Sequence, residues 1–273
     1  MRKFNTKNPT EMKILHILAY GEGVIHRDDF IKYSNKTLLS RYKTAGLLKP
    51  YPAGEKGLYQ ITEQFKQAFR QQIDPDHKFS GSHAPEHASG VNRVLSQLSA
   101  QAQLKSGSQL QWEHRLEQLN AHSPYHARAS HLLHLNQQAF YKAQAALDAA
   151  QNQSQRAFLL EQREQARQKL AQSANLQNRC STPDLAVTLT RDQLCDFLQR
   201  QREEWEQPRS RFQQELYQRS IQRMEQLVSS AQPVVTLFIE IVTDNYGRDD
   251  IQAKENWSYC TENSPIVYIP AKI

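Results

Sequence analysis

The apolar positions of this chain change their spacing several times along its length, and each change predicts a different element. Met12, Ile14, Leu15, Ile17 and Leu18 follow helical spacing, with Thr10 able to cap them and Glu11 in the favourable first turn. Gly21 and Gly23 end that run. A short second helix over residues 26–33 presents Phe30 and Ile31. A third, capped by Ser34 or Asn35, turns Leu38, Leu39 and Tyr42 inward and leaves Lys36, Arg41 and Lys43 for its outer face. Gly46 and Leu47-Leu48 close it. Two short strands around a turn are expected within 49–62, and a fourth helix over 63–72.

Beyond the polar, proline-broken stretch 74–78, Val91, Val94, Leu95 and Leu98 predict a helix reaching about Leu104. Residues 109–116 alternate apolar and polar, as a half-buried strand does, and Glu113 then points away from Trp112, either as a ligand or into solvent. Apolar positions thin out among Gln, Ala, Arg and Glu from about 121 to 178. The same happens over 191–230, where Leu194, Phe197, Leu198, Trp205, Phe212, Leu216 and Ile221 form one side and Pro208 a break. Both stretches predict helical insertions with solvated faces. Between and after them stand three strand-like runs, 185–189, 234–242 and 266–269, with a helix over 249–259 before the last.

Composition adds bounds. No apolar run approaches the roughly 20 residues of a membrane-spanning helix, and the first residues lack the apolar core of a secretory signal. Cys180, Cys195 and Cys260 are odd in number and widely spread, which argues against a disulfide framework or a structural zinc site. A cytoplasmic protein without membrane insertion is expected. Residues 1–78 hold 14 Lys or Arg against 8 Asp or Glu, so the whole net charge of +6 falls in the first quarter of the chain. A localised basic surface is the electrostatic footprint of nucleic-acid binding.

The chemistry is concentrated near the carboxyl end. Asp184 opens one apolar strand and Glu240 interrupts another. A carboxylate inside such a run is costly to bury unless it is paired. Two carboxylates on neighbouring strands share a hard divalent cation well, which offsets that cost. Lys254, one turn after Ile251 on the following helix, suits a role in orienting water or stabilising charge on a phosphate. The histidine-rich stretch from His122 to His134 lacks the His-Glu-x-x-His pattern and any nearby cysteine, so it reads as surface or DNA-facing rather than metal-binding.

Three helices, a leucine-rich close, a hairpin and the ending Tyr59-Gln60-Ile61-Thr62 resemble a winged helix-turn-helix over residues 10–72. In such a fold the third helix enters a major groove, with Lys36, Arg41 and Lys43 on it, while Lys49 and Lys56 on the wing touch phosphates. The remaining order, αβββαβ once the insertions are removed, is similar to the PD-(D/E)XK restriction-endonuclease-like core, with Asp184, Glu240 and Lys254 as its catalytic trio. One departure is that the position two residues after Glu240, where that motif has its lysine, is Val242. The start of the helix after the linker, with Glu86, resembles the first helix of those nucleases, whose acid assists the metal; a helix-dipole acid is the other account of Glu86. Together with Thr182-Pro183-Asp184-Leu185 and the segment from Glu240 to Lys254, the chain resembles the MOBC class of plasmid mobilisation relaxases and related replication-relaxation proteins.

The resemblance implies an α/β (α+β overall) protein, with a winged-helix DNA-binding domain at 1–76 and a nuclease-like domain at 77–273 carrying insertions at about 121–178 and 191–230. It implies nicking of a double-stranded plasmid transfer origin by water activated with Mg2+ or Mn2+, with accessory mobilisation and coupling proteins as partners. Asp184 and Glu240 would hold the metal, with Glu86 as a further ligand. Two alternatives remain open: a non-enzymatic DNA-binding regulator or replication accessory on a decayed nuclease fold, and a restriction or transposon endonuclease cutting both strands.

Overall fold

The computed structural model describes the chain except residues 1–3, 53–55, 81–84, 99–101, 121, 175–180, 205–209, 231, 244–245, 262–264 and 272–273; for 172 and 204 it describes the backbone alone. Part of the stretch expected to hold the turn, residues 53–55, and Cys180, Trp205 and Pro208 therefore lie outside the described residues. Two compact units are present: Met1–Gln111 with Pro183–Tyr246 and Pro265–Ile273, and Trp112–Thr182 with Gly247–Ser264. The fold is mixed α/β, with helices dominating and two small sheets.

In the first unit, α1 (Pro9–Tyr20) is capped by Asn8, whose side chain accepts from the Thr10 and Glu11 amides, not by Thr10. Asn8 wins because Pro9 at the first helical position is already set at helical φ and needs no N–H partner. A strand not anticipated from the pattern, β1 (Val24–His26), precedes α2 (Arg27–Tyr33). Then come α3 (Lys36–Thr44), capped by Asn35, β2 (Leu48–Pro50), β3 (Leu58–Ile61) and α4 (Glu63–Gln72), capped by Thr62. The three strands form an antiparallel sheet in the order β1-β3-β2.

Helix α5 (Pro85–Gln97) ends earlier than its apolar spacing suggested, and β4 (Gln103–Ser106) follows. Residues 109–116 are not a strand: they lie in α6 (Gly107–Leu119). Their alternation misleads because Leu110 and His114, four apart, are the buried pair, while Trp112 and Leu116 are each 50% exposed. The Ser106 hydroxyl accepts from the Gln109 amide at 3.3 Å and opens the helix.

The larger sheet adds β5 (Leu185–Thr190), β6 (Val234–Val242) and β7 (Ile266–Pro270) to β4, in the order β4-β5-β6-β7. The first two pairings are antiparallel and the last is parallel. Leu185, Val187 and Leu189 of β5 and Leu237, Ile239 and Ile241 of β6 point to one face, where they join a core shared with α1, α3, α4 and α5. The N-terminal elements and the sheet thus have one hydrophobic interior, with no break in it at residues 76–77.

The two described helices within 191–230 are not solvated arms. Helix α9 (Arg191–Glu204) sends Leu194, Phe197 and Leu198 into the same core, and α10 (Arg211–Ser229) buries Leu216, Tyr217 and Met224. Ser220 of α10 accepts from the Tyr268 amide at 2.7 Å, and Arg223 donates to the Ile266 carbonyl, so α10 covers the open edge of β7.

In the second unit α7 (Pro124–Asp148) and α8 (Gln153–Ala174) pair as a long hairpin. Asn136 reaches the Lys169 carbonyl across it, and Phe158 is 60% exposed. Helix α11 (Arg248–Cys260) packs on α7, with Tyr125 and Cys260 buried together and the His131 ring bonded to the Tyr259 hydroxyl at 2.7 Å. His126 bonds the Gln118 carbonyl and His134 the Gln138 amide, so these histidines have local partners.

Candidate active site

Continuing the β5–β6 register by one residue from Leu185 opposite Ile239 sets Asp184 against Glu240. Asp184 lies just outside the strand. Its carboxylate takes the place of a strand carbonyl, Oδ2 accepting from the Ile241 amide at 2.8 Å, while its own amide donates to the Ile239 carbonyl. Gly107 makes room for this: a β-carbon there would sit 3.0 Å from the Asp184 carbonyl oxygen.

The neighbours of these carboxylates come from distant parts of the chain. Ring nitrogen Nε2 of His87, in the first turn of α5, donates to Asp184 Oδ2 at 3.1 Å; Nδ1 donates to Glu22 Oε1 at 2.6 Å. Burial alone would lower the His87 pKa, but the hydrogen bonds and charges of Asp184 and Glu22 prevail and raise it to about 10. His87 is therefore an imidazolium bridging two carboxylates. Glu22 is buried in a tight connection between α1 and β1, where Gly23 adopts φ +68°. Asn92 fastens α5 to this connection by donating to the Val24 carbonyl at 2.7 Å.

Glu240 is 3% exposed and accepts from the Tyr246 hydroxyl at 2.9 Å. Burial, then the Glu240 charge and hydrogen bond, then Tyr268 and the Asp184 charge, raise the Tyr246 pKa far out of reach, so the phenol stays a donor.

Of the residues anticipated for metal binding, Asp184 and Glu240 are brought to adjoining strand positions. Glu86 is exposed at the start of α5, and its neighbour His87 occupies the place beside Asp184. The helical period could have shown this: His87, Val91 and Val94 share the inward stripe, and Glu86 lies off it. Glu22 and Tyr246 carried no comparable signal, since each depends on a tertiary neighbour. Lys254 is buried in the second unit, its ammonium donating to the Thr182 carbonyl.

Among the described residues no group of three or more His, Cys, Asp or Glu is already arranged as a metal site. The donor chemistry nevertheless suits Mg2+ or Mn2+. Mg2+ in particular is commonly held through one or two carboxylates, with waters and substrate phosphate filling the other positions. Asp184 and Glu240 would supply those carboxylates.

On the basic surface Lys36, Lys43, Lys49 and Lys56 are exposed. Lys43 lies over the Tyr59 ring and donates to its hydroxyl at 3.1 Å; Arg27, Lys36, Lys43 and Tyr59 line an open groove of about 450 Å3 beside α3. Arg41 is already committed. It forms an ion pair with Glu11, 1% exposed, which also accepts from the Tyr42 hydroxyl at 3.3 Å. A guanidinium that neutralises a buried carboxylate is held by the fold before any phosphate arrives.

Comparison with protein-family models, with curated proteins and with solved structures found no match. Among the described residues no helix is long and apolar enough to cross a membrane.

Proposed function

We propose that this chain is a metal-dependent, site-specific DNA endonuclease that nicks one strand of a plasmid transfer origin, as the mobilisation relaxases it resembles do. The observation that carries the proposal is the register setting Asp184 opposite Glu240. They stand in a mixed four-stranded sheet whose element order, with the intervening helices set aside, runs helix, strand, strand, strand, helix, strand. That order is consistent with a PD-(D/E)XK core, and the three helices with a small antiparallel sheet before it are consistent with a winged helix.

Asp184 and Glu240 would hold Mg2+ or Mn2+, which when bound activates water and offsets charge on the scissile phosphate. His87 orients the Asp184 carboxylate, and Tyr246 does the same for Glu240. Lys36, Lys43, Lys49 and Lys56 would contact double-stranded DNA. The part of Lys254 as the residue that positions water or phosphate, and the accessory mobilisation and coupling proteins, rest on the resemblance alone.

A second reading, a non-enzymatic DNA-binding protein, is favoured by one observation. The imidazolium of His87 already serves Asp184 and Glu22 together, so the cluster has a structural account of its own.

The test is supercoiled plasmid carrying the DNA that neighbours the protein's own coding region, incubated with and without Mg2+ or Mn2+. Open-circle product that requires metal, and is lost in Asp184→Asn and Glu240→Gln, is expected. Linear product would assign a double-strand endonuclease instead. DNA binding without cleavage in any metal would assign the regulator.

A further inference from the structure

Resting on the DNA contact proposed above, and independent of the metal chemistry, we infer that the groove beside α3 takes one unpaired nucleotide of DNA. Arg27, Lys36 and Lys43 hold its phosphate, and the Tyr59 ring stacks on its base. The groove measures about 450 Å3, within the roughly 300–1,000 Å3 that sites for single small molecules occupy. Its lining has two characters. Arg27, Lys36 and Lys43 are exposed, whereas Leu39 is buried and Ile31 and Tyr59 are half-buried, so cations stand at the mouth over an apolar and aromatic floor. The cations alone would suit the backbone of a duplex. The floor would not, because a duplex offers phosphates and base edges while stacking hides its base faces. A base face is the complement of an aromatic ring set in apolar surroundings, and only an unpaired nucleotide brings one together with its phosphate.

Tyr59 is placed for this. It lies on β3, the central strand of its sheet, opposite Ile25 of β1 on one side and Pro50 of β2 on the other. A strand paired along both edges fixes the ring before a ligand arrives, which lowers the ordering cost of stacking. In the free protein the Lys43 ammonium lies 5.0 Å from the ring centroid and donates to the Tyr59 hydroxyl at 3.1 Å. Among the described residues no carboxylate is paired with Arg27, Lys36 or Lys43. Three cations on one groove without an acid repel one another, and an anion between them relieves the repulsion. A phosphate is a stronger partner for an ammonium than a neutral phenol is. Its arrival draws Lys43 off the ring on a flexible four-carbon stem, and the ring is then open to the base.

The probes are three labelled oligonucleotides bound to the full chain in low salt and chelator, followed by fluorescence anisotropy. They are a fully paired duplex, the same duplex with one bulged adenine nucleotide, and the same bulge lacking its base. The bulged adenine is expected to bind roughly five- to a hundredfold more tightly than either of the others, as one stacked base provides. Tyr59→Leu should bring the ratio of bulged to paired affinity close to one, and Tyr59→Phe should preserve it. Thermal unfolding checks that each variant is folded; the comparison of bulges with and without a base needs no variant and decides the matter if Tyr59→Leu does not fold. Equal binding of bulged and paired duplex, equal binding of the two bulges, or a preference that survives Tyr59→Leu overturns the inference. So does a free nucleoside 5′-monophosphate that competes as well as the bulged duplex, which would assign the groove to a soluble nucleotide. Failure of the DNA reading beneath it looks different: none of the three oligonucleotides would bind.

Discussion

Glu11 shows how far a single side chain's surroundings can depart from its sequence context. It sits in the first turn of α1, where an acid is expected at the surface for its effect on the helix dipole. Instead it is buried and held by Arg41 and Tyr42 of α3. Removing the exposed Arg41 guanidinium leaves the buried Glu11 without its charge partner, so Arg41→Ala should destabilise the fold by about 1–3 kcal/mol in urea unfolding. The same change at Lys36 should cost almost nothing. Three histidines define an acid limit. Burial lowers the pKa of His16, His77 and His114, in His16 with help from the charge of His77 and in His77 against Asp74 and the Ala19 carbonyl. Each binds fewer protons folded than unfolded as pH falls past the ordinary value of 6.5, so their contribution is full above that pH and lost below it. The urea midpoint should drop between pH 6.5 and 5.5, below the range in which the raised pKa of His87 acts in the opposite direction, and His77→Asn should flatten the drop. At this scale the placing of Asp184 and Glu240 on neighbouring strands was legible, because a carboxylate in an apolar run stands out. His87 was overlooked because Glu86, one residue away, offered the more familiar charge.

Among the elements, β5, β6 and β7 were legible to within a residue because continuous apolar runs of that length match buried strands. Residues 109–116 were misread because their alternation also satisfies a helix with one narrow buried edge. Helix α10 was misjudged for a different reason. Its apolar positions are sparse, yet Ser220 and Arg223 bond the backbone of β7, and no hydropathy pattern reports a polar contact to a strand edge. Its N-terminus carries a reciprocal cap between Ser210 and Gln213. Ser210→Ala should cost about 1 kcal/mol, measured by chemical denaturation. Helix α5 is pressed onto the sheet at Gly90, where a β-carbon would lie 2.6 Å from Ile241 Cγ2. Gly90→Ala should destabilise by about 1–3 kcal/mol through overpacking and, by shifting α5, lengthen the His87–Asp184 contact.

For the whole molecule, the excess positive charge of residues 1–78 predicts a steep salt dependence of DNA binding, since phosphate contacts release counterions. Replacing Lys36, Lys43 and Lys49 together by alanine should weaken binding and reduce the slope of log K against log salt by about 2 to 3. Filter binding from low to physiological salt checks it, and an unchanged slope would move the phosphate contacts elsewhere on the chain. The sequence by itself determined the local matters: the mixed α/β character, the polar breaks, the basic first quarter and the two carboxylates in apolar strands. These follow from propensity, periodicity and charge, which act between residues close in the chain. The tertiary structure alone decided that the N-terminal helices share a core with the sheet, that Leu194, Phe197, Leu198 and Met224 belong to that core, and that Glu22, His87 and Asp184 meet across 162 positions of chain. Each of those outcomes depends on which apolar faces cover one another, and residues far apart in sequence leave no periodic trace of the contacts they make.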